Sequence, residues 1–467
     1  MTTPRFQVAE IRFFERPIVL RMPFRFGVVT LTEAPQVFVR ARITHQNGRE
    51  GWGAAAEVLI PKWFDKNPAL SNEDNINQLR SALRLARGLY LDAGPATSFG
   101  LMAESYAAQR NSCAELGLNP LVAGFGPAVI DRAVLDALCR IEGVSFYEAV
   151  RNNLPGITPE TVAPDLAGFP MAGFLSNLTP RDRIHARHTV GLVDQITSAE
   201  TRIDDGLPET LEDVISTYGH RWFKIKIGGD LNFDLDRLQA ISSVLDGALD
   251  DYAVSLDGNE QYDHVDGILE LWRRVEETPA LRRFADAVSF IEQPIARGAA
   301  LNRDIGPLAA LRPVIIDESD SGFDIFPKAR DLGYAGVSSK QCKGIYKSII
   351  NAARCAAWNA AGGRYFISGE DLTCQAGLCV QQDLALVSLL GITHVERNGH
   401  HYARGMEAAP AAEQKEFAAA HGDLYELRGG IACLKISDGV ISLASLDAPG
   451  FAHAADPDWS AMTQMEF

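Results

Sequence analysis

A rhythm in the second half of the chain restricts the fold more than any other feature. Between residues 189 and 395 short apolar runs recur, each closed by a polar cluster and followed by a helix-length amphipathic stretch. The runs fall at 189–193, 222–227, 252–256, 287–291, 314–316, 336–339, 364–367 and 391–395. Short apolar strands that alternate with helices specify βα units and a parallel sheet covered on both faces. Eight such units predict an α/β fold in which the sheet closes into a parallel barrel.

The rest of the chain frames that repeat. Residues 5–56 read as strands: Phe6-Gln-Val-Ala-Glu-Ile alternates, and a second strand runs into Asn47-Gly48, a dipeptide that supplies the positive φ angles of a tight hairpin before Gly51-Trp52-Gly53. Helical spacing follows over 77–90 and 98–116, and Pro127 is placed at the start of a helix over 128–140. An α+β unit is therefore expected over 1–152. Residues 153–186 hold five prolines and little periodicity, as in a linker or insertion. The barrel is expected over 187–398. The tail, 399–467, has an Ala-rich helix and a second hairpin signal at Asp438-Gly439, expected to lie on the amino-terminal sheet.

Composition excludes some roles. With 44 basic and 60 acidic residues the net charge is −16, and no Lys/Arg-rich run offers the basic face that nucleic-acid binding needs. Neither the first residues nor any later stretch has an apolar run of signal-peptide or membrane-span length, so a cytoplasmic protein is expected, with neither nucleic acid nor membrane as partner. The seven cysteines form no C-x-x-C pair and read as reduced thiols.

In a parallel barrel the chemistry gathers where strands end, so the residues that close the runs carry the functional argument. Lys224 and Lys226 lie two apart and share one side of their strand. The next three runs end at Asp257, with Asn259 close behind, at Glu292, and at Asp317-Glu318; the sixth ends at Lys340. Strands two and six of an eight-membered ring lie opposite each other, so lysines flank a central group of carboxylates. Three carboxylates converging away from water are costly unless a cation neutralises them. Oxygen ligands from Asp257, Glu292 and Asp317 suit a hard ion such as Mg²⁺, whereas zinc favours His or Cys. Such an ion can stabilise the charge that builds on a substrate carboxylate when the adjacent carbon loses its proton, giving an enediolate. Lys226 and Lys340 are placed to act as acid and base on opposite faces of that carbon, with a pKa lowered by neighbouring cations, and Lys224 to put positive charge beside the substrate carboxylate. Asn259 and Glu318 are expected to support the metal ligands from behind.

The segments Lys224-Ile-Lys226, Leu256-Asp257-Gly-Asn259, Ile291-Glu292-Gln-Pro294, Ile316-Asp317-Glu318-Ser319 and Val337-Ser-Ser-Lys340, followed by Lys343-Gly344-Ile345, resemble the enolase superfamily. The resemblance is to its muconate-lactonizing-enzyme-like members (the mandelate racemase/muconate lactonizing enzyme family), which carry a lysine on each side of the site. It implies a modified TIM barrel, an α+β capping domain built by the amino-terminal segment and the returning tail, and Mg²⁺-assisted removal of a proton α to a carboxylate. The seventh run ends in Ile367-Ser368-Gly-Glu-Asp with no histidine, unlike the mandelate-racemase branch, and the eighth in His394-Val-Glu396-Arg397-Asn398 with no Asp-x-Asp, unlike the dipeptide epimerases. The chain also looks long for the family, with its excess in 58–75, 153–186 and the tail.

Arg21, Phe24, Arg25 and Phe26 fall where the family's capping loop closes over the barrel. With Ser368, Glu370, Asp371, Glu396 and Arg397 at the last two strand ends, they are the candidates for substrate contact. The ten histidines show no ligand pair at helical spacing and read as structural. The expected activity is racemisation or epimerisation of a small-molecule carboxylate by a homo-oligomer, because bases on both faces are required there. Syn-elimination of water and cycloisomerisation pass through the same enediolate. A Schiff-base aldolase and a non-catalytic binding protein are the alternatives from other classes.

Overall fold

The computed structural model describes residues 3–27, 29–197 and 202–466. Strand β1 (Phe6–Phe26) turns back into β2 (Val29–His45), and the Asn47-Gly48 hairpin leads from there into β3 (Glu50–Val58). A register shift between Val8 and Glu10 moves the buried face of β1 from Phe6 and Val8 to Ile11 and Phe13. Helices α1 (Asn72–Asp92) and α3 (Pro120–Glu142) cover this sheet, and α2 (Ser98–Glu115) packs against both of them. Side chains of Ser71, Thr97 and Asn119 cap their first turns. The helix expected to begin at Pro127 begins at Pro120, and Pro127 lies inside α3. The Asn119 side chain accepts from the N–H groups of Leu121 and Val122, and Pro120 occupies the first turn where a missing N–H costs nothing, so the true start is seven residues earlier.

Eight parallel strands then build the barrel: β4 (Arg183–Val190), β5 (Trp222–Lys226), β6 (Ala253–Asp257), β7 (Val288–Glu292), β8 (Val314–Ile316), β9 (Gly336–Ser339), β10 (Phe366–Gly369) and β11 (His394–Glu396). Pairing of β11 with β4, from His394↔His185 to Glu396↔Arg187, closes the ring. The first strand lies earlier than the run at 189–193 that was expected to form it. Arg187 and Thr189 point into the barrel and bond to Glu370 and Glu396, so the strand is polar on the face that a search for apolar runs requires to be apolar.

The tail holds β12 (Tyr425–Arg428), β13 (Ile431–Leu434), β14 (Val440–Ser442) and β15 (Thr463–Gln464). Asp438 and Gly439 form the expected tight turn, both at positive φ. The hairpin does not lie on the amino-terminal sheet, however: β14 pairs antiparallel with β4, Val440 opposite His185. The reason is that β4 starts below its neighbour. Its pairing with β5 begins only at Arg187, which leaves an open edge at Arg183–His185 for the tail to cover. Of the tail strands among the described residues, β15 pairs with the amino-terminal sheet, beside β1. Among the described residues no helix is long and apolar enough to cross a membrane, and all seven cysteines are free and buried.

Candidate active site

The registers Lys226↔Asp257 and Asp257↔Glu292 set three charged side chains in one layer at the carboxyl ends of β5, β6 and β7. Lys224, two residues deeper on the same face, is fully buried. Its ammonium lies 2.9 Å from Asp257, 2.7 Å from Glu292, 2.7 Å from Glu370 and 2.9 Å from Glu396. Strands on both halves of the ring are thus tied to one cation. Burial disfavours the charge on Lys224, but these four carboxylates more than offset it and hold the amine protonated. Lys226 donates to Asp257 at 2.6 Å.

Across the ring, Lys340 follows β9 and lies 2.8 Å from Asp317. Three strands separate β5 from β9 in either direction around the barrel, so the two lysines stand on opposite walls. The amine of Lys340 is buried, yet Asp317 raises its pKa, the reverse of the lowering expected from nearby cations. Asp317 itself is fixed by its neighbours. Ser338 and Lys343 donate to its Oδ1, while the Gln293 side chain accepts from the backbone N–H groups of Asp317 and Ser319. The Glu-Gln-Pro segment therefore does two jobs, ending one strand in a carboxylate and orienting the next. Asn259 reaches back through its N–H to Asp257 and through its amide to Glu318.

The donor set suits a hard cation. Glu292 Oε1, Glu318 Oε2 and Asn259 Oδ1 are buried without a hydrogen-bond donor, while Glu292 Oε2 and Asp317 Oδ2 meet only the ammonium groups of Lys224 and Lys340. Burial, with Asp257 and Glu370 close by, pushes the Glu292 carboxyl well above the usual carboxylate range. Buried oxygens lacking donors, with one acid held partly neutral by like charge, are what an oxygen-seeking divalent ion relieves.

Two segments from outside the barrel close over this floor. The tip of the β1–β2 hairpin reaches the segment after β11, where Phe24 stacks on Tyr402 with ring centres 4.1 Å apart. The loop after β3 brings Trp63 to 4.5 Å from the Lys340 ammonium, and its Lys66 pairs with Glu260 at 2.7 Å. Arg297 fastens that loop, donating to the carbonyls of Trp63 and Phe64 while it pairs with Glu260.

The substrate-contact candidates separate. Ser368, Glu370 and Glu396 are buried inside the barrel, where Ser368 and Arg187 bond to Glu370. Asp371 accepts from the backbone N–H groups of Cys374, Asn398 and Gly399, and Arg397 pairs with Asp383, which makes both organisers of the loops. Arg21 is committed to Asp205 and to the carbonyls of Pro208 and His401. Phe24 and Phe26 are buried together, and Arg25 is exposed on the hairpin tip. Arg187, Trp63, Lys66 and Arg297 escaped the sequence reading. Only the surplus length at 58–75 pointed toward two of them, and Arg187 sits in the strand whose polar inner face hid it.

These features define a capped (β/α) barrel whose strand ends gather lysines opposite carboxylates. The fold expected from the resemblance is the fold found, and several solved structures share it. Muconate lactonizing enzyme from Pseudomonas fluorescens, complexed with muconolactone, superimposes with a TM-score of 0.57 at 17% identity, covering 97% of this chain and 98% of that one. L-Ala-D/L-Glu epimerase from Bacillus subtilis gives 0.58 at 16%, covering 96% and 99%. An enolase from Bradyrhizobium complexed with magnesium and mandelic acid gives 0.59 at 18%, covering both chains fully. No protein-family model and no curated protein matches the chain.

Proposed function

We propose that the protein is a Mg²⁺-dependent enzyme of the enolase superfamily, of the muconate-lactonizing-enzyme-like kind, that removes the proton α to a carboxylate of a small molecule. The observation that carries this reading is a set of buried, donor-poor carboxylate oxygens lying between lysines on opposite walls of one barrel. Asp257, Glu292 and Asp317 would hold the ion. When bound it supplies a Lewis-acidic charge that offsets the negative charge developing on the substrate carboxylate. The chain's own residues do the rest. Lys226 and Lys340 each face one side of the acidic carbon, one taking its proton and the other returning one. Lys224 keeps the carboxylates of both half-rings in place, and Trp63 with the hairpin tip excludes water. Bases on both faces favour racemisation or epimerisation; syn-elimination and cycloisomerisation share the first step. The structural neighbours whose ligands are muconolactone and mandelic acid support a small carboxylate as substrate.

Solvent-deuterium exchange tests this directly. Acid sugars, N-acyl amino acids and dipeptides are incubated with the protein and Mg²⁺ in D₂O, and α-deuterium is read by NMR. Exchange on at least one class is expected, lost in Lys226→Ala and in Lys340→Ala. Full exchange in both variants overturns the assignment, and a borohydride-trapped adduct on either lysine would move the protein to the Schiff-base aldolases.

A further inference from the structure

Three histidines far apart in sequence meet outside the barrel wall. His188 lies on β4, His220 just before β5, and His400 in the short helix Gly399–Tyr402 after β11. These strands are consecutive around the ring. Because Arg187 and Thr189 point inward, His188 between them points out. The three rings form a nearly equilateral triangle, with centroids 5.4, 5.7 and 6.0 Å apart, and a nitrogen of each lies within 4.8 Å of the others. A tetrahedral ion bound by imidazoles at about 2.0–2.1 Å sets ring centroids roughly 5 Å apart.

Each ring keeps an unused nitrogen. His188 Nδ1 and His220 Nε2 are buried with no hydrogen-bond partner, His400 has the Arg397 backbone within reach of one ring nitrogen and leaves the other unpartnered, and His188 and His220 are 2% and 0% exposed. His220 Nδ1 lies 3.0 Å from the Ala186 carbonyl. That contact requires the proton on Nδ1 and turns the Nε2 lone pair toward the cluster, which is how metal-binding histidines are commonly oriented. A buried nitrogen without a partner is costly, so gathering one from each of three rings is unfavourable unless something bonds them together. A small cavity lined in part by Tyr218, His400 and Cys433 adjoins the His400 corner of the triangle.

We propose that His188, His220 and His400 form a zinc site, distinct from the oxygen-rich carboxylates at the barrel mouth. The ligand chemistry separates the two sites. Neutral imidazoles select borderline transition ions, whereas Mg²⁺ selects oxygen. An ion here would pin the segment after β11 to β4 and β5, and Tyr402 on that segment is the seat of Phe24 from the hairpin tip.

The test uses the full-length protein, stripped by a chelator and returned to excess Mg²⁺, then titrated with Zn²⁺ and, as a spectroscopic probe, Co²⁺. One equivalent of Zn²⁺ is expected to bind despite the Mg²⁺, and Co²⁺ to give the visible bands of a low-coordinate nitrogen site. Both are expected to weaken at least tenfold in His400→Gln and His220→Asn, and to persist in Asp257→Asn and Glu292→Gln. His400 is only partly buried, so His400→Gln is the variant that keeps its fold. A rise in Tm with Zn²⁺ in the parent but not in His400→Gln would support the site even if His220→Asn does not fold. Absence of stoichiometric Zn²⁺ binding under excess Mg²⁺ overturns the proposal. So does binding that survives both histidine variants, or that vanishes only with the carboxylates.

Discussion

Lys224 shows how one side chain can be more than a catalytic candidate. Four buried carboxylates at four strand ends share its ammonium. Removing one member of a buried charge network leaves the others uncompensated, at a cost of about 3–5 kcal/mol. Lys224→Met is therefore expected to lose about that much in urea unfolding, and a loss under about 1 kcal/mol would show that the carboxylates find other partners. Glu292→Gln should behave oppositely. Burial, Asp257 and Glu370 already hold the Glu292 carboxyl toward its neutral form, and the amide copies that form, so its stability in the absence of divalent metal should fall little. Mg²⁺ should raise the Tm of the parent and not of this variant. The lysines and acids of the barrel mouth were legible in the sequence because each closes an apolar run. The histidine triangle was not, because its members meet only through the pairing of β4 with β5 and the closure of β11 on β4, and Trp63 and Lys66 were not, because a loop carries no periodic signal.

At the scale of elements, the cap shows which signals travel from sequence to structure. The Asn47-Gly48 turn and the helices α1 and α2 were readable because turn chemistry and apolar spacing are local. Pro127 misplaced the start of α3 because proline was read as punctuation, when Asn119 and Pro120 already provide it. The close seat of α3 on α1 depends on Gly126, where an added Cβ would fall 2.2 Å from the carbonyl oxygen of Ala82. Gly126→Ala must push the helices apart and should destabilise the protein by about 1–3 kcal/mol in urea unfolding. On the same pair of helices, Tyr90 donates to Asp131 at 2.7 Å, and burial raises the Asp131 carboxyl to about 8. Its ordinary value is 3.8, so between about pH 4 and pH 8 the folded protein keeps a proton that the unfolded chain releases. Stability contributed here therefore falls as pH rises through that window. Asp131→Asn has no proton to lose, so its Tm should gain on the parent's from about pH 5 to pH 8. A constant gap across that range would mean that Asp131 is ionised in the fold.

On the scale of the whole molecule, barrel and cap are read by different physics. The barrel was legible because eight repeated units announce themselves by period, and its one misplaced strand is the one with a polar inner face. How the cap meets the barrel depends on contacts across more than 200 residues of sequence, such as Arg297 with Trp63 and Phe64, and no local pattern encodes those. The same contact supports a prediction about closure. Arg297 joins Glu260, on the loop after β6, to two backbone carbonyls of the loop that lays Trp63 over Lys340. One guanidinium thus supplies two of the loop's polar attachments to the barrel, and Lys66 adds a pair to Glu260 and a bond to the Asn259 carbonyl. Arg297→Met keeps the aliphatic stem and removes the fork, so the cores of cap and barrel stay intact while the loop loses its anchor. Hydrogen–deuterium exchange should rise in peptides covering residues 61–67 and remain unchanged in α3 and in β5–β7. If the loop closes the site over substrate, KM should rise more than kcat falls. Unchanged exchange at 61–67 would show that Trp63 is held by its packing against Phe64, which itself packs on Phe125, and not by the charge beneath it.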